Sequence, residues 1–199
     1  MSNFLNAIKS RRSIYSLGRN ISLSEIEITE LIKEAVKQSP SAFNAQEPRV
    51  ITLFGDAHEK LWELTEQALK PLTPAEAFEN TKQKLAGFKA GLGTAMFFND
   101  TDITKQLQEQ FALYADNFPT WAEQSNGIAT ANTWTALTEV GMGANLQHYN
   151  PVIDEAVSSQ WDIPTNWRLR SQLVFGSPEK QAGDKDFIAD DERFKVFKQ

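Results

Sequence analysis

Three short stretches of this chain carry residue types that bind or transform a small molecule. The first, "SRRSIYSLGRN" at residues 10–20, sets Arg11 and Arg12 beside Ser13. Guanidinium forks next to a hydroxyl hold phosphate through charge-assisted hydrogen bonds. A basic helix end, favoured by the helix dipole, explains the same residues without any ligand. The second stretch, "PSAFNAQEP", offers Ser41, Asn44 and Gln46 to the heteroatoms of a planar ring and Phe43 to its face. A loop that only ends a helix is the alternative there. In the third, "EVGMGANLQHYNP", a glycine-spaced segment runs into Leu146, Gln147, His148 and Tyr149, where main-chain N–H groups are free to meet a heterocycle.

Composition narrows the chemistry. With 199 residues, 41% of them hydrophobic, the chain suits one compact domain, residues 1–199, with a substantial core. A formal charge of -6 and a pI near 5.0 argue against a nucleic-acid surface, so a local basic cluster points to a small anion. The absence of cysteine removes thiolate catalysis, Fe–S ligation and disulfides, which leaves any redox work to a bound cofactor. Two histidines, His58 and His148, cannot build a His-rich metal centre, so no metal is expected. "HEKLW" has Trp62 where a zincin needs its second histidine, and "GMGANL" lacks the last small residue of a dinucleotide fingerprint. Neither a signal peptide nor a membrane span is readable, so a cytoplasmic location is expected.

The elements that must position these stretches follow from periodicity. Phe4, Leu5 and Ile8 share one side of a short helix that delivers the arginines at its end. Ser22 with Glu25 fits a capping box for a helix whose stripe of Ile28, Leu31, Ile32, Ala35 and Val36 should pack on a sheet. "RVITLFG", "GTAMFFND" and "RLRSQLVFG" read as strands, the last with Leu169, Ser171, Leu173 and Phe175 on one face. "DAHEKLWELTEQALK" and the stretch through Phe78, Leu85 and Phe88 read as helices. Helical spacing makes Phe111, Tyr114 and Phe118 core residues first, with Trp134 alike, and the region from Trp121 to Asn145 reads as one long helix. Asn150 and Pro151 read as N-cap and first residue of the next helix.

Taken together, "RRSIY", "PSAFNAQ", "GTAMFFND", "WAEQSNG", "GANLQHYNP" and "ERFKVF" resemble, in collinear order, the FMN-dependent nitroreductases of the short fungal-type branch, which also occurs in bacteria. The resemblance implies an α+β fold, a central mainly antiparallel sheet wrapped by helices, in an intertwined homodimer with FMN at the interface. It assigns Arg11, Arg12 and Ser13 to the FMN phosphate and nearby pyrimidine edge, and Tyr15 to a ring contact where the wider family often has a basic residue. Ser41, Phe43, Asn44 and Gln46 match the loop that reaches a flavin, partly across the interface. Leu146, Gln147 and His148 match the segment covering one ring face, with the Gln147 backbone N–H directed at N5. Lys185 resembles a C-terminal phosphate lysine, while Phe187 stands where a second basic residue is frequent.

The activity so implied is ping-pong reduction of nitroaromatic or quinone-type acceptors by NADH or NADPH, in a stress-defence role. Phe43 and Phe118 would bound the acceptor's face, and His148, with an unperturbed pKa near neutrality, is a candidate proton donor. The same binding residues would equally serve a non-catalytic FMN sensor, buffer or regulator.

Overall fold

A strand with no exposed residue requires cover on both sides, and β3 (Gly93–Asp100) is such a strand. Side chains alternate across a sheet, so Ala95 and Phe97 enter one apolar layer and Met96 and Phe98 the other. The computed structural model describes residues 2–198. In it β3 lies between β2 (Pro48–Phe54) and β5 (Trp167–Pro178), and the far edge of β5 pairs with both β1 (Leu17–Gly18) and β4 (Gly143–Gln147). All four strand pairings are antiparallel, and a parallel bridge joins Ser13 to Ala144.

Helices cover both faces, as expected for the α+β architecture. On one side α2 (Glu25–Lys37) packs with α6 (Phe118–Glu139), and Ile28, Ile32, Ala129, Trp134 and Leu137 meet Phe97, Leu173 and Phe175. On the other, Leu61 and Trp62 of α3 (Gly55–Leu69), Leu85 and Phe88 of α4 (Ala75–Lys89) and Val157 of α7 (Asp154–Trp161) meet Leu53, Met96 and Val174. His58 of α3 is fully buried in that layer, with Nδ1 2.9 Å from Thr94 Oγ1 and Nε2 3.3 Å from the Lys89 carbonyl. Helix α1 (Asn3–Ser10) precedes the arginines, α5 (Thr101–Gln110) follows β3, and α8 (Asp190–Arg193) lies in the C-terminal arm.

Several local expectations are corrected. The capping box of α2 is Ser24 with Glu27, two residues after Ser22 and Glu25: Ser24 Oγ accepts from Glu27 N, and Glu27 accepts from Ser24 N at 2.8 Å. Helix α6 stops at Glu139 instead of reaching Asn145, since Gly141 takes φ 84° and the chain turns into β4 against the open edge of β5. Residues 112–117 tighten into a 3-10 turn, which leaves Tyr114 44% exposed. Helix α7 begins at Asp154, after a turn that contains Asn150 and Pro151. A β-bulge also breaks the expected single face of β5. Phe97 pairs with Ser171 and Phe98 with Leu169, so Arg170 is the extra residue and Leu169 joins the opposite layer from Leu173 and Phe175. Among the described residues, no helix is long and apolar enough to cross a membrane.

Candidate functional site

A cavity of ≈ 490 Å³ lies between the sheet-facing side of α6 and the strand segment that carries the Arg170 bulge. Arg11, Trp134, Leu146, His148, Arg170 and Ser171 line it. Arg11 is half-buried at the end of α1, its guanidinium carbon 4.5 Å from the centre of the Trp134 ring. Among the described residues no carboxylate pairs with it. Arg170, in contrast, donates from Nε to Glu123 Oε2 at 2.8 Å, so much of its charge is already balanced. Trp134 Nε1 and Thr130 Oγ1, both on cavity-lining residues, are buried and have no hydrogen-bond partner among the described residues.

Strand β4 sets the main-chain geometry of this cavity. Ile14 N donates to the Ala144 carbonyl at 2.9 Å, so Ala144 directs its backbone away from β5. Strand alternation then turns the N–H groups of Leu146 and His148 outward and those of Asn145 and Gln147 toward β5, where Gln147 is paired with Gln172. Tyr149 N, facing β5 again, donates to Gln172 Oε1 at 2.9 Å. The Gln147 side chain lies on the face away from the cavity: its Nε2 donates to Asn145 Oδ1 at 2.8 Å, and Asn145 Nδ2 donates to the Ile14 carbonyl at 2.8 Å. Gln147 therefore braces the arginine segment against β4, and its own main-chain N–H faces β5.

The remaining predicted residues are dispersed. Ser13 is exposed and its backbone is fixed by the bridge to Ala144, whereas Tyr15 is exposed and away from the lining residues. Arg12 Nη2 donates to the Gly183 carbonyl at 2.8 Å, which tethers the C-terminal arm close in sequence to Lys185. Lys185 is exposed, with its Nζ 5.0 Å from the Phe187 ring centre.

The loop with Ser41, Phe43, Asn44 and Gln46 does not reach this cavity within one chain. It borders a second cavity of ≈ 380 Å³ together with Trp121, Gln124, Ser125 and Ile128 of α6. At about 100° per residue these α6 positions point to nearly the opposite side from Asn126, Thr130 and Trp134. The Phe43 ring packs 4.7 Å from Phe111, 5.6 Å from Phe118 and 6.1 Å from Trp121. Phe118 is 2% exposed and acts as the floor of this aromatic cluster, while Phe43, 53% exposed, presents its ring to solvent. Sequence reading missed Arg170, Thr130 and Trp121 as site residues. For Arg170 the signal was a strand-like "RLRSQ" with charges at alternate positions, which does not reveal a bulge, and Trp121 was visible only as the first residue of "WAEQSNG".

Residues 8–177 match the nitroreductase family. The chain belongs to that family. Nitroreductase FRM2 of Saccharomyces cerevisiae is 35% identical to it over 190 residues, covering 94% of this chain and 93% of the relative. Among solved structures, nitroreductase CinD of Lactococcus lactis in complex with chloramphenicol is 54% identical, with a TM-score of 0.92 over 98% of this chain and 100% of that one. The fold extends to a Desulfovibrio desulfuricans protein solved in complex with FMN, 16% identical, TM-score 0.71, covering 98% of each chain. Family membership places this nitroreductase-fold chain among the oxidoreductases.

Proposed function

We propose that this nitroreductase-family protein binds FMN in the Arg11–Trp134 cavity and uses NADH or NADPH to reduce nitroaromatic or quinone-type acceptors by a ping-pong cycle. One observation carries the reading. The cavity joins a guanidinium and two buried polar atoms that have no ion-pair or hydrogen-bond partner among the described residues with two outward main-chain N–H groups, a donor-rich lining suited to an anionic, heteroatom-rich planar ligand. When bound, FMN supplies a ring that accepts a hydride from a reduced nicotinamide and passes the electrons to an acceptor. Arg11 of the cavity, with Ser13 beside it in sequence and Lys185 of the arm, would hold the phosphate end. The main-chain N–H of His148 would take the donor role at the flavin, since the Gln147 N–H is turned to β5. The exposed His148 side chain stands where it can return a proton to the reduced acceptor. For acceptors of the kind bound by CinD, chloramphenicol and 4-nitrophenol, the 53% exposed ring of Phe43 offers an apolar face to stack on.

A visible spectrum of the purified protein, before and after NADPH or NADH without oxygen, tests this. A bound flavin should bleach within seconds and recover on addition of 4-nitrophenol. Flavin that stays bound yet unreduced would instead assign a binding or sensing role.

The same reading makes the protein a homodimer, because the loop of Ser41–Gln46 and the Arg11 cavity lie on nearly opposite sides of α6 and two copies bring them together. The C-terminal arm supports it: Phe187, Phe194, Val196 and Phe197 are 60–92% exposed, a pattern that solvated tails rarely carry. Edge strand β2 flanks a groove in which Ile32, Val36, Val50 and Phe54 alternate with Lys33 and Lys37, a mixed surface offered to the partner's arm with its phenylalanines and acidic residues. Sedimentation at micromolar concentration should give a dimer, and removal of residues 186–199 should shift it toward monomer. A folded, flavin-loaded monomer of the full chain would refute the arrangement.

A further inference from the structure

Phe43, Asn44 and Gln46 are not glycine, yet all hold left-handed backbone, with φ of 57°, 53° and 53°. Such conformations persist only where the surroundings over-determine them. Within the loop, Gln46 N donates to Ser41 Oγ at 2.9 Å. The outside restraint is Arg49. Its Nη1 donates to the Gln46 carbonyl at 2.7 Å and to the Pro48 carbonyl at 3.2 Å, while Nη2 pairs with Asp100 Oδ2 at 3.0 Å. Asp100 is in turn held from two directions, since its Oδ1 accepts from Asn166 Nδ2 at 2.8 Å and from Asp102 N at 3.1 Å.

We propose that the Arg49–Asp100 pair is a positioning device that holds the Ser41–Gln46 loop in its left-handed backbone and couples it to the aromatic wall around Phe43, so that the loop meets a planar ring already ordered. Asp100 is the joint. One carboxylate oxygen caps α5, the helix that leads to Phe111, and the other carries the arginine that fixes Gln46. Neither Arg49 nor Asp100 lines either cavity, so they act through the loop and not by contact. The pair is well placed to be stiff: the Asp100 side chain is only 10% exposed, and the Arg49 guanidinium carbon lies 5.8 Å from the Trp167 ring centre. A guanidinium fork suits this task because it reaches a carbonyl and a carboxylate at once, whereas an ammonium is a point donor.

The inference rests on the proposed FMN site, and two readouts separate the two. Asp100→Asn keeps an oxygen to cap α5 and removes the ion pair; Arg49→Lys keeps the charge and removes the fork. In protein stripped of FMN, hydrogen exchange at the Gln46 amide should speed up about tenfold in Asp100→Asn, because a displaced loop loses the bond to Ser41. The FMN dissociation constant, from flavin fluorescence, should rise about tenfold, with Arg49→Lys retaining part of the affinity that Arg49→Met loses. Wild-type exchange at Gln46 in folded variants overturns the proposal, and so does faster exchange with unchanged FMN affinity. If the wild type itself binds no FMN, the functional reading fails, while faster Gln46 exchange still supports the clamp. Should Asp100→Asn not fold, Arg49→Lys against Arg49→Met decides by the same two measurements.

Discussion

Arg11→Ala should weaken FMN binding ten- to a hundredfold. The guanidinium is half-buried at the cavity, stacked on Trp134 at 4.5 Å and unopposed by any carboxylate among the described residues, so an anion there meets a cation that is held in place. Removing a charge-assisted contact of this kind costs about 1.5–3 kcal/mol, which converts to roughly that range of affinity. Arg12 cannot substitute fully, because its guanidinium is engaged with the Gly183 carbonyl. Fluorescence titration of the stripped protein with FMN measures the effect, with circular dichroism as the check on folding. Arg11→Lys should lose less than Arg11→Ala, since it keeps the charge and gives up the fork and the stacking. Unchanged affinity in a folded Arg11→Ala protein would remove Arg11 from the phosphate site.

Acid should destabilise the fold through His58 well before most carboxylates titrate. Burial is the main cause that lowers the pKa of this imidazole from 6.5 to about 4, with the charge of Arg19 acting in the same direction against the Lys89 carbonyl. A depressed folded-state pKa means that the unfolded chain binds the proton first as pH falls. The stability contribution is therefore complete above pH 6.5 and lost as pH drops through 6.5 toward 4. At 1.36 kcal/mol per pH unit, the loss between neutral pH and pH 5 is about 2 kcal/mol. Urea unfolding of FMN-free protein at one fixed concentration, at pH 7.5 and at pH 5, measures it, because bound ligand and dimer dissociation would otherwise enter the midpoint. His58→Gln should flatten that pH dependence even if it lowers stability at pH 7.5. A wild-type protein equally stable at both pH values would show that the ring is solvated or charged in the folded state.

Much of the fold was legible because local patterns and tertiary demands agreed. "GTAMFFND" is β3 to the residue, since a run with apolar and small side chains on both faces suits a central strand. Helix α2 carried its stop at the approach to Pro40, although two overlapping Ser-x-x-Glu patterns left its start ambiguous and the structure chose the second. Where periodicity failed, a partner surface decided. Residues 143–147 have no strand signal of their own and become β4 because the free edge of β5 needs hydrogen-bond partners.

The sequence by itself determined the family and the kinds of residue offered for binding: adjacent arginines in an acidic chain, a polar loop with one aromatic, no cysteine, and motifs in the order of a known family. These are properties of residue type and order, which need no contacts to be read. Tertiary structure alone decided which atoms face the cavity. The pairing of β4 with β5 turned the Gln147 N–H inward and freed those of Leu146 and His148, because alternation is set by register and not by composition. The bulge brought Arg170 into the cavity lining, and the two sides of α6 separated the Ser41–Gln46 loop from Arg11. Each depends on how distant segments pack, information that no local window of residues contains.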